Sequence, residues 1–409
     1  MTQQIEPTTE LPSSATSGWP DTIRSFAEGQ NDFAFGLYKE LHQQPGNLFF
    51  SPFSIRTALG MTFVGARGET ANQMCRALRL ASSEESLDLA FAEIIQQLTP
   101  ADGGKYEFTI GNSLWSQDGI PLLPEFSELI GRYYRGEVNL VDFRINTEVA
   151  RTAINRWVEE KTRQKIKELI PWDGISPDTR LVLANAIYFK GIWMSPFRTY
   201  DLFDPLNEEP FYLEDGSEVR TPLMFMQKEV RYVKGEDFQA VELNYQGDNI
   251  SMLVFLPNRK DGLLDLEKRL QADMLEECVK RMQVREIKIF LPKFKLTWGT
   301  INLKNQLSAI GMPIAFNRDE ADFSGINGLQ PPDDEALHIG AVCHKAFVEV
   351  NEKGTEAAAA TGVSMDMFAG LPPKVPVFRA DHPFLFGIRD QKSGSILFLG
   401  RLANPTQGS

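Results

Sequence analysis

In EKGTEAAAATGVSMDMFAGLPPKVP, Glu352 to Pro376, the side chains alternate in character with period two. Thr355, Ala357, Ala359, Thr361, Val363 and Met365 fall on one face of an extended chain. Glu356, Ala358, Ala360, Gly362, Ser364 and Asp366 fall on the other. One small or apolar face and one small or polar face is the pattern of a sheet strand covered on one side. Yet Ala and Gly are weak strand formers, and the prolines that close the run remove ladder donors. The segment therefore reads as a strand without a place unless a sheet receives it.

Outward from this stretch, the C-terminal half of the chain is rich in strands. LVLANAIYFK, ISMLVFLP, IKIFLPKFKL, HKAFVEV, PFLFGI and SILFLGRL are β-branched or aromatic runs bounded by turn residues. The last two, separated by RDQKSG, predict a closing hairpin. Helical patterns lie earlier. Phe33, Leu37 and Leu41 are spaced as on a helix behind Asn31 or Asp32, and a second helix opens at Ser51-Pro52 and stops near Gly65. Ala150, Ile154 and Val158 mark the apolar stripe of a long helix within TEVARTAINRWVEEKTRQKIKELI. Early helices and late strands without βαβ alternation predict an α+β fold. With no repeat and no internal linker, the simplest organisation is a polar tail over residues 1–22 and a single domain over 23–409.

The bulk composition narrows the partners. The 409 residues are 42% hydrophobic with 28 Phe, which is ample for a large core. A formal charge of -13 argues against nucleic acid and anionic membranes, both of which select basic surfaces. The basic cluster KTRQKIK, Lys161 to Lys167, reads as a solvated helix face. Cys75, Cys278 and Cys343 are odd in number and widely spaced, which predicts free thiols and no metal knuckle. The N-terminal residues contain no apolar core of a signal peptide, so the expectation is a cytoplasmic protein unless a leader is missing.

Catalytic motifs are absent. There is no GxSxG, HExxH, GxxxxGK[ST] or GxGxxG, and the chain has only four histidines, His42, His338, His344 and His382. No metal or cofactor is implied, and a hydrolase has no motif to stand on. His344 shares a strand face with Val342, Ala346, Val348 and Val350, so it is expected to be buried and to need hydrogen-bond partners.

VNEKGTEAAAATGV at 350–363 and FRADHPFLFGI at 378–388 resemble the hinge and the signature segment of the serpins. NLFFSPFSIRTALGM, ANAIYFKGIWMSPF, PKFKL, DFSGI and SILFLGRLANP follow in the order of that family, so the likeness spans nearly all of the chain from about residue 25. The resemblance implies three β-sheets with eight or nine helices and an exposed reactive loop, here about 352–376. It also answers the puzzle of the unplaced strand: after cleavage, such a loop enters the largest sheet as a new central strand. The implied activity is suicide inhibition of a serine protease, which is trapped as an acyl-enzyme while the loop inserts. The chain would then be an inhibitor and not an enzyme, monomeric, with the protease as its covalent partner.

The resemblance also carries individual residues. The scissile bond would be Phe368-Ala369, with Met367 and Met365 as alternatives, and all three point to a chymotrypsin-like or subtilisin-like target. Gly354, Thr355, Glu356 and Ala357, Ala358, Ala359 and Ala360 would form the hinge. Ser51, Ser54, Asn185 and His344 match the family's shutter, and Trp193, Lys293 and Glu352 match its breach. Phe53 departs from the pattern, standing between the two serines where a smaller residue is usual. SSEESLDLAFAEIIQQL, in the place of the heparin-binding helix, has no Lys or Arg, which argues against a heparin-type cofactor. The alternative within the family is a non-inhibitory chaperone, carrier or storage protein; such members carry bulky or charged hinge residues or Pro, unlike Thr355 and the alanine run.

Overall fold

The computed structural model describes residues 19–80, 84–99, 105–199, 208–247, 249–354 and 375–407. In chain order, the first elements are α1 (Trp19–Leu41), β1 (Leu48–Phe50), α2 (Pro52–Phe63), α3 (Gly68–Ala77) and α4 (Glu84–Leu98). There follow β2 (Tyr106–Gln117), α5 (Pro124–Tyr134), β3 (Glu137–Val141), α6 (Thr147–Lys161), β4 (Leu181–Gly191), β5 (Arg198–Thr199) and β6 (Glu208–Tyr212). The middle of the chain contributes β7 (Glu218–Lys234), β8 (Phe238–Asn244), β9 (Ile250–Pro257), α7 (Leu263–Arg269), α8 (Ala272–Arg281), β10 (Gln283–Pro292) and β11 (Phe294–Asn302). Short helices α9 (Lys304–Ala309) and α10 (Ser324–Asn327) precede β12 (Ala341–Val350), β13 (Val377–Arg379), β14 (Phe384–Asp390) and β15 (Ile396–Leu402).

The strands form a five-stranded sheet, ordered β11-β12-β4-β2-β3, and a ten-stranded sheet through β1-β15-β14-β9-β8-β7-β10-β13 with β5 and β6 also on β7. The expected second and third sheets are thus continuous, because the 17 residues of β7 serve both. In the five-stranded sheet, alternation along β4 divides the side chains between two cores. Leu181, Leu183, Ile187 and Phe189 join the main core with α2, while Val182, Ala184, Ala186 and Tyr188 pack under Ala150, Ile154 and Val158 of α6.

Local sequence accounts for the helix that matters most here. Pro52 stands in the first turn of α2, where its missing N–H costs nothing, and Ser51 caps the helix by accepting from Ser54 N at 3.1 Å. Three expectations need correction. Helix α1 begins at Trp19, inside the expected 1–22 tail, and Asn31 is not its cap. Its side chain instead receives Ile396 N at 2.8 Å and donates to Gly394 O at 3.1 Å, tying α1 to the closing hairpin. The KTRQKIK cluster is not a helical face either. Helix α6 stops at Lys161, and Arg163, Gln164 and Glu168 take positive φ. That break lets Ile166, Leu169 and Ile170 turn down onto the sheet, where all three are fully buried. Residues 355–374, which hold most of the expected hinge and the expected scissile bond, lie outside the described residues.

Candidate functional site

The centre of the five-stranded sheet is a parallel seam, with β12 paired directly to β4 from Ala341–Val182 to Phe347–Tyr188. Midway along it a polar row crosses three strands. Asn112 on β2 is opposite Asn185 on β4, and Asn185 is opposite His344 on β12. All three point into the main core, where the N-terminal turn of α2 meets them.

The hydrogen bonds of this row determine the state of His344. Ser51 N donates to Nε2 of His344 at 3.1 Å, so Nε2 must carry the lone pair. The proton is therefore on Nδ1, which donates to Asn185 Oδ1 at 2.5 Å across the seam. The Asn185 amide nitrogen donates in turn to Ser54 O at 2.9 Å, Ser54 Oγ at 2.5 Å and Asn112 Oδ1 at 2.5 Å. Ser51 Oγ donates to Leu397 O at 2.7 Å, fastening the row to β15. A second proton on His344 would direct Nε2–H at the Ser51 N–H. With the ring fully buried, desolvation lowers its pKa to about 3, so it is neutral over the whole physiological range.

The sequence-derived residues Ser51, Ser54, Asn185 and His344 are thus brought into one buried cluster. Asn112 belongs to the same cluster and was not foreseen. The signal was available: Phe108, Ile110, Asn112 and Leu114 alternate along β2, and Asn112 is a polar residue on an otherwise apolar face, as Asn185 is on β4.

At the upper end of the seam the chain leaves β12 in a tight turn, Asn351 to Gly354, that is docked onto the strand opposite. Trp193 N donates to Lys353 O at 2.9 Å, Phe197 N to Glu352 O at 2.8 Å, and the Trp193 indole to Asn351 O at 3.0 Å. Trp193 is fully buried and stacks on Tyr245 at 4.3 Å between ring centroids. Lys293 forms an ion pair with Glu352. Gly354 makes an antiparallel bridge with Ile192 at φ +139°. A Cβ there would lie 2.0 Å from Gly191 O, so only glycine allows the turn to sit this close. Trp193, Lys293 and Glu352 therefore meet in one place, above a seam that contains no intervening strand.

The pattern has known counterparts. The family model described as Serpin (serine protease inhibitor) matches residues 28–405. An uncharacterised serpin-like protein of Thermococcus kodakarensis is 41% identical, over 98% of this chain and 93% of its own. The leukocyte elastase inhibitor of Xenopus laevis is 37% identical, over 91% of this chain and 97% of its own. Among solved structures, human thyroxine-binding globulin in complex with thyroxine superposes with a TM-score of 0.83 at 28% identity, covering 94% of this chain and all of that one. No helix among the described residues is long and apolar enough to cross a membrane.

Proposed function

This chain belongs to the serpin family, and from that premise we propose that it is a suicide inhibitor of a serine protease with an apolar primary pocket. The observation that carries the reading is the closed β4–β12 seam, lying directly below the anchored turn that ends at Gly354. The protease attacks at Phe368-Ala369 and forms an acyl-enzyme. The freed arm then enters the seam from the Gly354 end, carrying the protease toward the foot of the sheet before water can release it.

The energetics favour this direction. Opening the seam breaks one ladder, and an inserted antiparallel strand makes two. At about 1 kcal/mol net per hydrogen bond, a strand of a dozen residues gains on the order of 10 kcal/mol. The barrier lies in parting the β4–β12 pairs and the Asn185–His344 bond that crosses them, which makes the uninserted fold a kinetically trapped state. Small side chains from Thr355 to Ala360 lower the steric cost of entry.

The test is a timed incubation with chymotrypsin, followed on a denaturing gel and by mass spectrometry of the released peptide. The expected result is a complex that survives denaturant together with a C-terminal peptide beginning at Ala369. Cleavage with neither a stable complex nor a gain in heat resistance would overturn the inhibitor reading in favour of a carrier-like member, the function in the name of thyroxine-binding globulin.

A further inference from the structure

The foot of the seam, at the end away from Gly354, gathers basic side chains from separate parts of the chain. β4 begins at Leu181 and β12 at Ala341, and Gly340 N donates to Leu181 O at 2.9 Å, so Arg180 and His338 lie on the two sides of one joint. Ile339 N donates to Ala315 O at 2.9 Å, which sets the chain from Ala315 to Arg318 beside His338. Lys304 reaches the same segment, its Nζ donating to Phe316 O at 3.5 Å. Asn302 fixes Lys304 to the start of β12, because its Oδ1 accepts from Lys304 N at 3.1 Å and from Val342 N at 3.2 Å.

Carboxylates do not neutralise this group. Arg318 pairs with Asp334 at 3.2 Å, and Arg144 at the margin pairs with Glu335 at 3.6 Å, both exposed pairs of the kind that contribute little. Arg180 and Lys304 make no ion pair among the described residues. Nδ1 of His338 is buried and has no hydrogen-bond partner among the described residues. Native interiors rarely leave such an atom orphaned. Burial, then the charges of Arg180, Arg318 and Lys304, lower the pKa of His338, with only Asp319 opposing them. Burial, then Arg144 and Arg318, lower that of Arg180, against the weaker pull of Asp178 and Glu335. Both groups thus stand in a net positive potential that an added anion relieves.

We propose that Arg180, Lys304, Arg318 and His338 form a binding site for a free tetrahedral oxyanion, phosphate or sulfate, at the foot of the seam. Such an ion offers oxygens to donors arriving from several directions, and guanidinium and ammonium groups are its strongest partners. His338 joins them as the neutral tautomer that carries its proton on Nδ1. Arg180 leads into β4, whereas His338 leads into β12 and Lys304 follows β11 beside it. The bound ion therefore ties together the two strands that insertion must part. That consequence, unlike the binding itself, rests on the insertion reading above. Phosphate holds the foot closed, slows the strand in reaching its full depth, and gives water more time to release the protease.

The experiment uses the uncut full-length protein in inorganic phosphate or sulfate, against chloride at equal ionic strength. The chain has four histidines, so the His338 ring signal is assigned in the NMR spectrum by its loss in His338→Gln. The expected result is a saturable shift of that signal and a rise of its pKa with phosphate, and binding about tenfold weaker in Arg180→Gln and in Lys304→Gln. Lys304 is exposed, so its variant tests the site without disturbing the turn in which Arg180 donates to Pro177 O at 3.0 Å and Thr179 O at 3.1 Å. A shift that fails to saturate, or that both variants leave unchanged, would mean an adventitious ion only and overturn the site. The tie across the seam is read with chymotrypsin: phosphate should raise the moles of inhibitor consumed per mole of protease for wild type and not for Lys304→Gln. An equal ratio in phosphate and chloride, from protein that gains heat resistance on cutting, would overturn the tie. A wild type that gains no heat resistance would overturn insertion, and the tie with it, while the NMR titration decides the anion site independently.

Discussion

At the scale of single residues, the site is a set of groups each held in one state by its partners. The His344 ring is neutral because Ser51 N and Asn185 Oδ1 use both nitrogens in that form and burial disfavours the charge. In the unfolded chain the same ring takes a proton near pH 6.5, whereas the folded chain accepts none until about pH 3. The unfolded state therefore binds more protons between these values, and folding stability falls as pH falls, by up to about 1.4 kcal/mol per pH unit. Melting of the wild type between pH 7 and pH 4.5 should drop more steeply than that of His344→Gln, which cannot titrate; parallel slopes would refute the assignment. Gly354 gives a second prediction. Alanine would bring its Cβ against Gly191 O in a backbone conformation that L side chains avoid, at a cost of about 1–3 kcal/mol. Gly354→Ala should lower the melting point of uncut protein and speed its loss of inhibitory activity on mild warming. The burial of His344 was legible from its strand neighbours, whereas its tautomer was not, because Ser51 N and Asn185 are 293 and 159 residues away.

At the scale of elements, strand 341–350, helix α2 with its Ser51 cap, and the hairpin of β14 and β15 follow directly from local pattern. The elements that pattern missed are those in which long-range partners override it. β2 carries Asn112, Ser113 and Ser116 through a buried strand, so it lacks the continuous apolar run that marks the other strands, although the alternation from Phe108 to Leu114 remains. Helix α6 ends early because the sheet beneath it offers Ile166, Leu169 and Ile170 more burial than another helical turn would. The segment from Thr355 is the opposite case, a clear strand pattern in the sequence that lies outside the described residues. Thr355 lies on the small and apolar face of the alternating segment, so under the proposed insertion Thr355→Arg would force a charge into apolar surroundings. The expected outcome is cleavage in place of complex, read as a rise in the moles of inhibitor consumed per mole of chymotrypsin; an unchanged ratio would refute the core-facing placement.

At the scale of the whole molecule, β4 and β12 are closed against each other, and the proposed insertion would part them to add a strand. A gain on the order of 10 kcal/mol predicts that cutting the loop raises the melting midpoint by at least about 10 °C, and a calorimetric scan before and after chymotrypsin treatment checks it. The sequence by itself determined the α+β class, the family likeness, the small residues suited to entering a sheet and the buried position of His344. The family likeness rests on ordered sequence motifs, and the others on local period and residue size, which a chain carries whatever its neighbours are. Only the tertiary structure decided that the seam is closed, that Asn112 joins the polar row, and that Gly354 is bridged to Ile192. Those facts depend on which strands lie side by side and in what register, and contacts between residues dozens to more than a hundred positions apart are not fixed by local pattern.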